Sequence, residues 1–184
     1  MSQLPLQGIR IVDASVVVMG PYASQWLADL GAEVIKVESP EGDSTRYTGP
    51  GHENGMSALF LGVNRNKKSV VLDIHTEQGM ASAKELIGQS DVVLENFRPG
   101  MMEKLGLSFK DLEAQFPRLI YVSHKGFLPG PYENRLALDE VVQNMAGLTY
   151  MTGPKGRPLR AGTSVNDIMG GMFGAIGVLA ALRE

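Results

Sequence analysis

One carboxylate in this chain stands alone in a segment that could perform chemistry. Asp167 is the only charged residue between Arg160 and Arg183, and an apolar run with four glycines follows it. This pattern predicts a helix that begins near Asp167. The carboxylate could pair with the positive end of the helix dipole, with Asn166 as the N-cap, and spacing alone favours that interpretation. It could also act as a nucleophile.

A second candidate segment, residues 95–100, reads Glu-Asn-Phe-Arg-Pro-Gly and follows a short apolar run. The ring of Phe97 could stack on a base while Arg98 meets a phosphate, so this segment could bind a nucleotide. Phe97 could equally be a packed core residue. A basic cluster at 64–68 precedes another apolar run, and by itself it indicates a solvated turn.

Several other kinds of chemistry find no support in the residues. The chain has no cysteine, which excludes disulfides, thiolate nucleophiles and Cys-ligated zinc. His52, His75 and His124 are far apart in the sequence, so no metal site is expected. The glycines at 49–55 imitate a dinucleotide fingerprint with the wrong spacing, and Walker A and G-x-S-x-G patterns are absent.

Composition indicates one soluble globular domain. The 184 residues are 43% hydrophobic and 20% charged. The net charge of -3 gives no electrostatic footprint for nucleic acid or an anionic membrane. The apolar run at 168–182 is shorter than the roughly 18 residues that suggest a membrane span. The first residues lack a signal-peptide pattern, so a cytoplasmic location is expected.

The elements that must position these residues alternate between strands and helices. Apolar, β-branched runs predict strands at 9–13, 32–37, 69–74, 91–95 and 119–123. Between them we expect helices at 20–30 and 76–87 and two short helices within 101–116, while 39–55 is a loop. The order predicts an α/β fold, a Rossmann-like and mostly parallel sheet with flanking helices. Ligands of such sheets bind beyond the carboxyl ends of the strands.

Together these segments resemble the class III CoA-transferases, the CaiB/BaiF family. Each match is modest by itself, but jointly they are specific because they follow the family's order along nearly the whole chain. The matching stretches are 6–13, 20–22, 27–38, 42–46, 64–69, 91–100, 117–121, 125–127 and the segment around Asp167.

The resemblance implies an acyl-CoA and a small carboxylic acid as substrates, with Asp167 as the catalytic nucleophile. Turnover would pass through an aspartyl anhydride and an aspartyl-CoA thioester. Amides of the helix N-terminus are expected to keep Asp167 ionised and to stabilise oxyanions. Coenzyme A is the expected cofactor, without a metal. The identity of the acids stays open.

The resemblance also assigns coenzyme A contacts to ten positions. Some family members carry basic residues after the second and third strands, where this chain has Ser39 and His75, so Arg65, Lys67 or Lys125 could replace those phosphate contacts. The ten assigned residues are Val18, Met19, Leu72, Asp73, Ile74, His75, Asn96, Phe97, Arg98 and Lys104.

One branch of the family offers an alternative activity, racemisation or epimerisation of α-methylacyl-CoA. Those enzymes pair the aspartate with a histidine in a Gly-His-Asp segment, and the two residues carry protons on either face of the α-carbon. Leu138 stands where that histidine would be, and leucine cannot carry a proton. This favours the transferase.

Family members are longer than 184 residues. Residues 1–184 are therefore interpreted as the N-terminal Rossmann-like CoA-binding domain, ending after the helix of Asp167, with the second family domain absent. The family forms interlocked homodimers, and without its partner segments this piece is expected to expose apolar surface. A third interpretation is a catalytically silent CoA-binding fragment.

Overall fold

A five-stranded parallel sheet forms the centre of the computed structural model, which describes residues 4–51 and 53–184. The strand order is β3-β2-β1-β4-β5, so the direction of winding reverses between β1 and β4. This arrangement confirms the predicted α/β fold class, and the reversal creates the crevice where such sheets bind ligands. The strands are β1 (Arg10–Asp13), β2 (Glu33–Glu38), β3 (Lys67–Val71), β4 (Val92–Glu95) and β5 (Ile120–Ser123).

Helices cover both faces of the sheet. The predicted helices are confirmed as α1, α3, α4, α5 and α8, whereas α2, α6 and α7 were not predicted, and a 3-10 helix (Ser44–Tyr47) lies within the predicted loop. The helices are α1 (Met19–Asp29), α2 (Ala58–Asn64), α3 (Glu77–Gly88), α4 (Met101–Leu105), α5 (Phe109–Leu112), α6 (Asp139–Met145), α7 (Leu148–Thr152) and α8 (Val165–Ala181).

The third strand begins and ends earlier than predicted. β3 spans Lys67–Val71 rather than 69–74. The amide of Leu72 still donates to the carbonyl of Glu38 at 2.9 Å, but the carboxylate of Asp73 then accepts from the amide of His75 at 3.0 Å. This turn ends the strand, and the apolar side chains at 72 and 74 hid it from periodicity. Leu72–His75 thus form the β3–α3 connection.

Local chemistry sets the start of α3. The hydroxyl of Thr76 accepts from the amide of Gly79 at 3.0 Å, which confirms Thr76 as the predicted N-cap. Glycine inside a helix normally weakens it, but a Cβ at Gly79 would lie 1.9 Å from the carbonyl oxygen of Asp73. The turn and the helix start are therefore too close for any side chain there.

Two apolar layers hold the helices against the sheet. Neighbouring residues of a strand point to opposite faces, so each central strand supplies both layers. One layer joins β1 and β4 to α1 and α8, and its fully buried members include Ile11, Leu27, Val92, Leu94 and Val178. The other layer joins the same strands to α3, α4 and α5, with Val12, Ile87, Val93, Met102 and Leu112.

The last helix is apolar on its outward side as well as on its buried side. Met169, Met172, Phe173, Ile176 and Leu179 are exposed in the chain, which agrees with the apolar surface expected from the sequence. Its length and hydropathy still do not suit a bilayer, and the same holds for every other helix within the described residues.

Candidate active site

Asp167 lines a cleft of about 510 Å³ at the carboxyl edge of the sheet. We call it the α8 cleft. Its walls come from the start of α1, the ends of β4 and β5, the start of α6 and one side of α8. The carboxylate is half-buried, so it is reachable from solvent rather than enclosed in hydrocarbon. Lining residues include Val18, Met19, Asn96, Val122, His124, Lys125, Leu138, Asp139, Val142, Asp167, Gly170 and Gly174.

Glycines bring α8 close to α1. A Cβ at Gly171 would lie 2.6 Å from the carbonyl oxygen of Met19, and one at Gly170 would lie 3.0 Å from that residue's sulfur. Side chains at these positions would push the helices apart. The glycine run after Asp167 therefore packs the nucleophile's helix against the β1–α1 connection, where Val18 and Met19 lie.

The N-terminus of α8 is capped from another helix. Ser164 is the N-cap residue but makes no side-chain cap, and Asn166 is already inside the helix, so the predicted Asn166 cap is wrong. Oδ1 of Asp139 accepts from the amides of Asn166 at 2.7 Å and Asp167 at 3.1 Å. A buried carboxylate on α6 thus satisfies two free amides of α8 and favours its dipole.

A buried glutamine fixes the same junction. Gln143 donates to the second carboxylate oxygen of Asp139 and to the carbonyl of Thr163 at 3.2 Å. Its own side-chain oxygen accepts from the amide of Ala161 at 2.7 Å. Gln143 is fully buried. One side chain therefore joins α6 to the segment that leads into α8. Sequence reasoning missed both Asp139 and Gln143, because the residues that they join to α6 lie 18 to 28 residues away along the chain.

Asp167 is less acidic than an ordinary aspartate. Burial, followed by the negative charges of Asp139 and Glu140, raises its pKa to about 6. Among the described residues its carboxylate accepts no hydrogen bond, since the nearby amides are bound to Asp139. The helix amides that were expected to keep Asp167 ionised therefore bind Asp139 and do not lower the pKa of Asp167. The site instead holds a more basic carboxylate, still mostly ionised at pH 7.

The loop after β1 is held in a strained conformation. Val17 has a φ of 69°, which a β-branched residue rarely adopts. Its amide faces the carboxylate of Asp43 at 3.3 Å, and that carboxylate pairs with the buried ammonium of Lys36 at 2.9 Å. Lys36 also donates to the carbonyl of Ser15 at 2.9 Å. These contacts set the position of Val18 and Met19 beside Asp167.

The structure divides the predicted coenzyme A residues between two cavities. Val18, Met19 and Asn96 lie in the α8 cleft. The four residues of the β3–α3 connection, together with Phe97, lie in a separate apolar cavity of about 350 Å³ on the other side of the β1–α1 loop. Its wall also contains Ser39 and the neighbouring Pro40.

Two of the predicted coenzyme A contacts, Arg98 and Lys104, lie outside both cavities. Arg98 borders a third groove beside the α8 cleft, whereas Lys104 is exposed on α4. The amide group of Asn96 is already engaged, because it donates to the carbonyl of Val16 at 2.7 Å and accepts from that residue's amide at 2.9 Å. Asn96 therefore joins the loops after β1 and β4 across the crevice.

The three proposed substitutes for phosphate contacts are engaged elsewhere. Lys67 is almost fully buried, and its ammonium binds Asp13 at 2.8 Å, the carbonyl of Pro21 and the side chain of Asn64. That interpretation is wrong for Lys67, since no donor remains for a phosphate. Arg65 pairs with Asp29 and Lys125 pairs with Glu95, and both of these basic side chains are more exposed than that of Lys67.

The histidines do not converge on a metal. His124 lines the α8 cleft and His75 lines the apolar cavity, while His52 lies outside the described residues. Across residues 4–51 and 53–184, no three His, Cys, Asp or Glu side chains are grouped as metal ligands. His124 is the third site residue that sequence reasoning missed, because its burial beneath α8 leaves no signal in the sequence.

Comparisons with known proteins agree with this arrangement. The model of CoA-transferase family III matches residues 6–184. Succinyl-CoA:glutarate CoA-transferase of Mus musculus is 42% identical over 186 residues, covering 100% of this chain and 43% of that protein. Succinate--glutarate CoA-transferase of Agrobacterium fabrum is 43% identical, covering 97% of this chain and 47% of that protein.

A solved structure shows the same architecture. A CaiB/BaiF family protein from Brucella suis superimposes with a TM-score of 0.94 at 40% identity, covering 99% of this chain and 50% of that one. The chain spans about half the length of the curated relatives it matches. The family match over nearly all residues and the shared fold lead to one conclusion: this chain belongs to CoA-transferase family III.

Proposed function

We propose that the protein transfers coenzyme A from an acyl-CoA to a free carboxylic acid, with Asp167 as the nucleophile. The observation that carries this proposal is the state of Asp167. Its carboxylate is half-buried and open to a cleft, and its pKa is raised to about 6. None of the described residues donates a hydrogen bond to it. A residue kept only to stabilise α8 would bind the helix amides itself, but here Asp139 does so.

The proposed reaction begins with covalent catalysis. A carboxylate oxygen of Asp167 attacks the thioester carbon of the acyl-CoA, the carbon–sulfur bond breaks, and CoA thiolate leaves an aspartyl anhydride. The thiolate then attacks the aspartyl carbonyl carbon, so the donor acid departs as a carboxylate and an aspartyl-CoA thioester remains. An anhydride has thioester-like reactivity, and neither intermediate is a deep energy minimum.

The second half repeats these steps with the acceptor. Its carboxylate attacks the aspartyl thioester, which releases the thiolate and forms a new anhydride. The thiolate attacks the acyl carbonyl of that anhydride, giving the product acyl-CoA and free Asp167. No proton has to be transferred in either half.

The racemase alternative is less well supported. Leu138 lines the cleft in place of the expected histidine. The one histidine there, His124, contacts α8 at Gly174, seven residues and about 10 Å along the helix from Asp167. Two groups that exchange protons with one α-carbon must both come within hydrogen-bond reach of it. The contact of His124 two helical turns from Asp167 does not favour such a pair.

For the substrates we propose dicarboxylic acids and their CoA thioesters. This rests on the names of the relatives, which specify succinyl-CoA, succinate and glutarate at 42–43% identity. We also propose that coenzyme A occupies the two cavities that contain eight of the ten predicted contacts, and that no metal takes part.

A homodimer is the proposed assembly. The exposed apolar side of α8 is one that a partner chain or further sequence would cover, because monomers rarely leave such a contiguous surface open. Interlocking and a cytoplasmic location stay predictions.

The test uses the protein at its natural length. Asp167→Ala should abolish transfer from succinyl-CoA to glutarate while CoA still binds by calorimetry. Wild-type protein treated with succinyl-CoA and then borohydride should carry its modification at Asp167 by mass spectrometry. Asp29→Asn, which alters a surface carboxylate paired with Arg65, is the matched control and should retain transfer. Unchanged transfer in Asp167→Ala would overturn the proposal, and CoA binding without turnover would favour the silent fragment.

A further inference from the structure

The turn after β4 carries three of the predicted coenzyme A contacts, Asn96, Phe97 and Arg98. It lies at the crevice between β1 and β4, where the direction of winding reverses. Phe97 is half-buried and borders both the apolar cavity and the third groove, where Arg98 lies. The position of Phe97 therefore shapes two of the spaces beside the crevice.

An ion pair holds the backbone of Phe97. Its amide donates to Oε2 of Glu95 at 2.8 Å, and its carbonyl accepts from the ammonium of Lys125 at 2.8 Å. Within the described residues, neither of these backbone atoms has a backbone partner. Backbone N–H and C=O groups need a hydrogen-bond partner when water is excluded from them. The conformation of the turn therefore depends on two side chains.

Glu95 is itself fixed between two strands. It is the last residue of β4, is 1% exposed and lies opposite Ser123 of β5 in the sheet. The hydroxyl of Ser123 donates to Oε1, and the ammonium of Lys125 contacts Oε1 at 2.9 Å and Oε2 at 3.1 Å. Glu95 thus joins the ends of β4 and β5 to the backbone of Phe97.

Lys125 has no donor left for a substrate. An ammonium carries three N–H groups, and those of Lys125 meet the two oxygens of Glu95 and the carbonyl of Phe97. Although Lys125 lines the α8 cleft, it could bind a phosphate only by releasing one of these acceptors. Two apolar residues are often as stable as a buried ion pair, but they could not bind an amide and a carbonyl of the same residue. The pair is therefore suited to positioning the turn.

We propose that Glu95 and Lys125 are positioning residues for coenzyme A and act through Phe97. The inference rests on the proposed function, in which coenzyme A occupies the cavity that Phe97 borders. The pair holds the turn so that Phe97 keeps its place in the wall of that cavity. Without the pair the turn has more freedom, and part of the binding free energy of coenzyme A is lost in ordering it.

The first test measures binding and turnover in the natural-length protein. Lys125→Met should raise Kd for CoA by calorimetry and KM for succinyl-CoA about tenfold, which corresponds to about 1.4 kcal/mol, while kcat changes far less. Lys125→Arg, which can still donate to both acceptors, should bind nearly as the wild type does. Lys110→Met, on the exposed side of α5, is the matched control and should change neither constant. An unchanged Kd in Lys125→Met, or a loss in kcat as large as that in KM, would overturn the proposal.

A double-mutant cycle tests whether Lys125 acts through Phe97. Phe97→Ala should weaken CoA binding, and adding Lys125→Met should weaken it little further, because both changes affect the same contact. Additive losses would overturn the proposal and assign Lys125 a direct contact with CoA. Lys125→Gln keeps an amide donor in place of the ammonium, should give an intermediate Kd, and serves if the Met variant folds poorly.

The calorimetry also separates this inference from the proposed mechanism, because CoA binding requires no turnover. The expected pattern of Kd values without any transfer would reject Asp167 as the nucleophile and support the positioning role. Transfer that depends on Asp167, with a Kd for CoA that Lys125→Met leaves unchanged, would reject the positioning role alone. A wild-type protein that does not bind CoA would overturn both.

Discussion

Two groups of buried polar side chains lie along the same edge of the sheet and differ in one respect. In the first, which we call the paired cluster, Lys67 binds Asp13 and Lys36 binds Asp43, at 2.8 and 2.9 Å, with all four side chains at most 2% exposed. Serine hydroxyls take further lone pairs of Asp13. In the α8 cleft, the carboxylate of Asp167 and the imidazole of His124 have no hydrogen-bond partner within the described residues.

The difference indicates which buried groups belong to the scaffold. Burying an ion is tolerated when a partner and hydrogen bonds compensate, and the paired cluster meets that condition. It depresses the pKa of Asp13, where Lys67 and Lys36 overcome the effect of burial. In the cleft no cation offsets burial, so the pKa of Asp167 rises instead. The carboxylate of Asp167, which is unpaired and open to the cleft, is therefore the group available to a substrate.

The largest effect should come from breaking the paired cluster. Lys67→Met leaves the carboxylate of Asp13 buried without its closest cation, and we expect a loss of about 3–5 kcal/mol in the free energy of unfolding. Urea denaturation followed by circular dichroism measures it. The adjacent Lys68 is the matched control, because its side chain is 72% exposed. Lys68→Met should leave stability nearly unchanged, and similar losses in both variants would contradict the comparison.

Asp139 combines features of both groups. Its carboxylate is hydrogen-bonded, as in the paired cluster, but it lines the α8 cleft beside Asp167. Asp139→Ala removes the acceptor for the amides of Asn166 and Asp167. We expect a loss of about 2–3 kcal/mol. Removal of its negative charge should also lower the pKa of Asp167. Denaturation curves and an NMR titration of the Asp167 carboxyl check both. A rise in that pKa would show that burial has increased rather than charge decreased.

The packing of His124 against α8 should produce the next effect. Gly174→Ala places a methyl group 2.2 Å from Nε2 and must displace the ring, at a cost of about 2 kcal/mol. Gly177 lies on the same helix with no atom within 4 Å of its ideal Cβ. Gly177→Ala should therefore stabilise the chain by up to about 1 kcal/mol through helix propensity. Thermal unfolding of both variants tests this, and equal shifts would refute the close contact.

The smallest effect should be a gain in stability on removing the nucleophile. The pKa of an ordinary aspartate is 3.8, whereas that of Asp167 is about 6 in the folded chain, so the folded state holds the proton more tightly. Ionisation at neutral pH therefore destabilises the fold. Asp167→Asn should stabilise it at pH 7 by about 1 kcal/mol, a value reduced for the half-exposed carboxylate. The gain should shrink to about half at pH 5. Thermal unfolding of both proteins at the two pH values measures the gain. A gain in stability that grows on acidification would show that the folded chain lowers the pKa of Asp167 rather than raising it.

Sequence reasoning and the structure agree where the determinants are local. The alternation of strands and helices, the Thr76 cap and the position of Asp167 at the start of a helix all follow from periodicity and capping within a few residues. The resemblance added the family, which the comparisons show. The end of β3 was misplaced because alternating apolar residues continued through a turn.

Residues far apart in the chain decided the rest. Asp139 caps α8 from 27 and 28 residues away, and Lys67 reaches Asp13 across 54. Residue type told us that these side chains carry charge, but not which ones are paired. The sequence by itself determined the order of strands and helices, the helix of Asp167 and the family. Only the tertiary structure decided which carboxylate caps α8, which lysine is buried and which histidine lines the cleft, because a buried group's energy depends on the partners that folding brings to it.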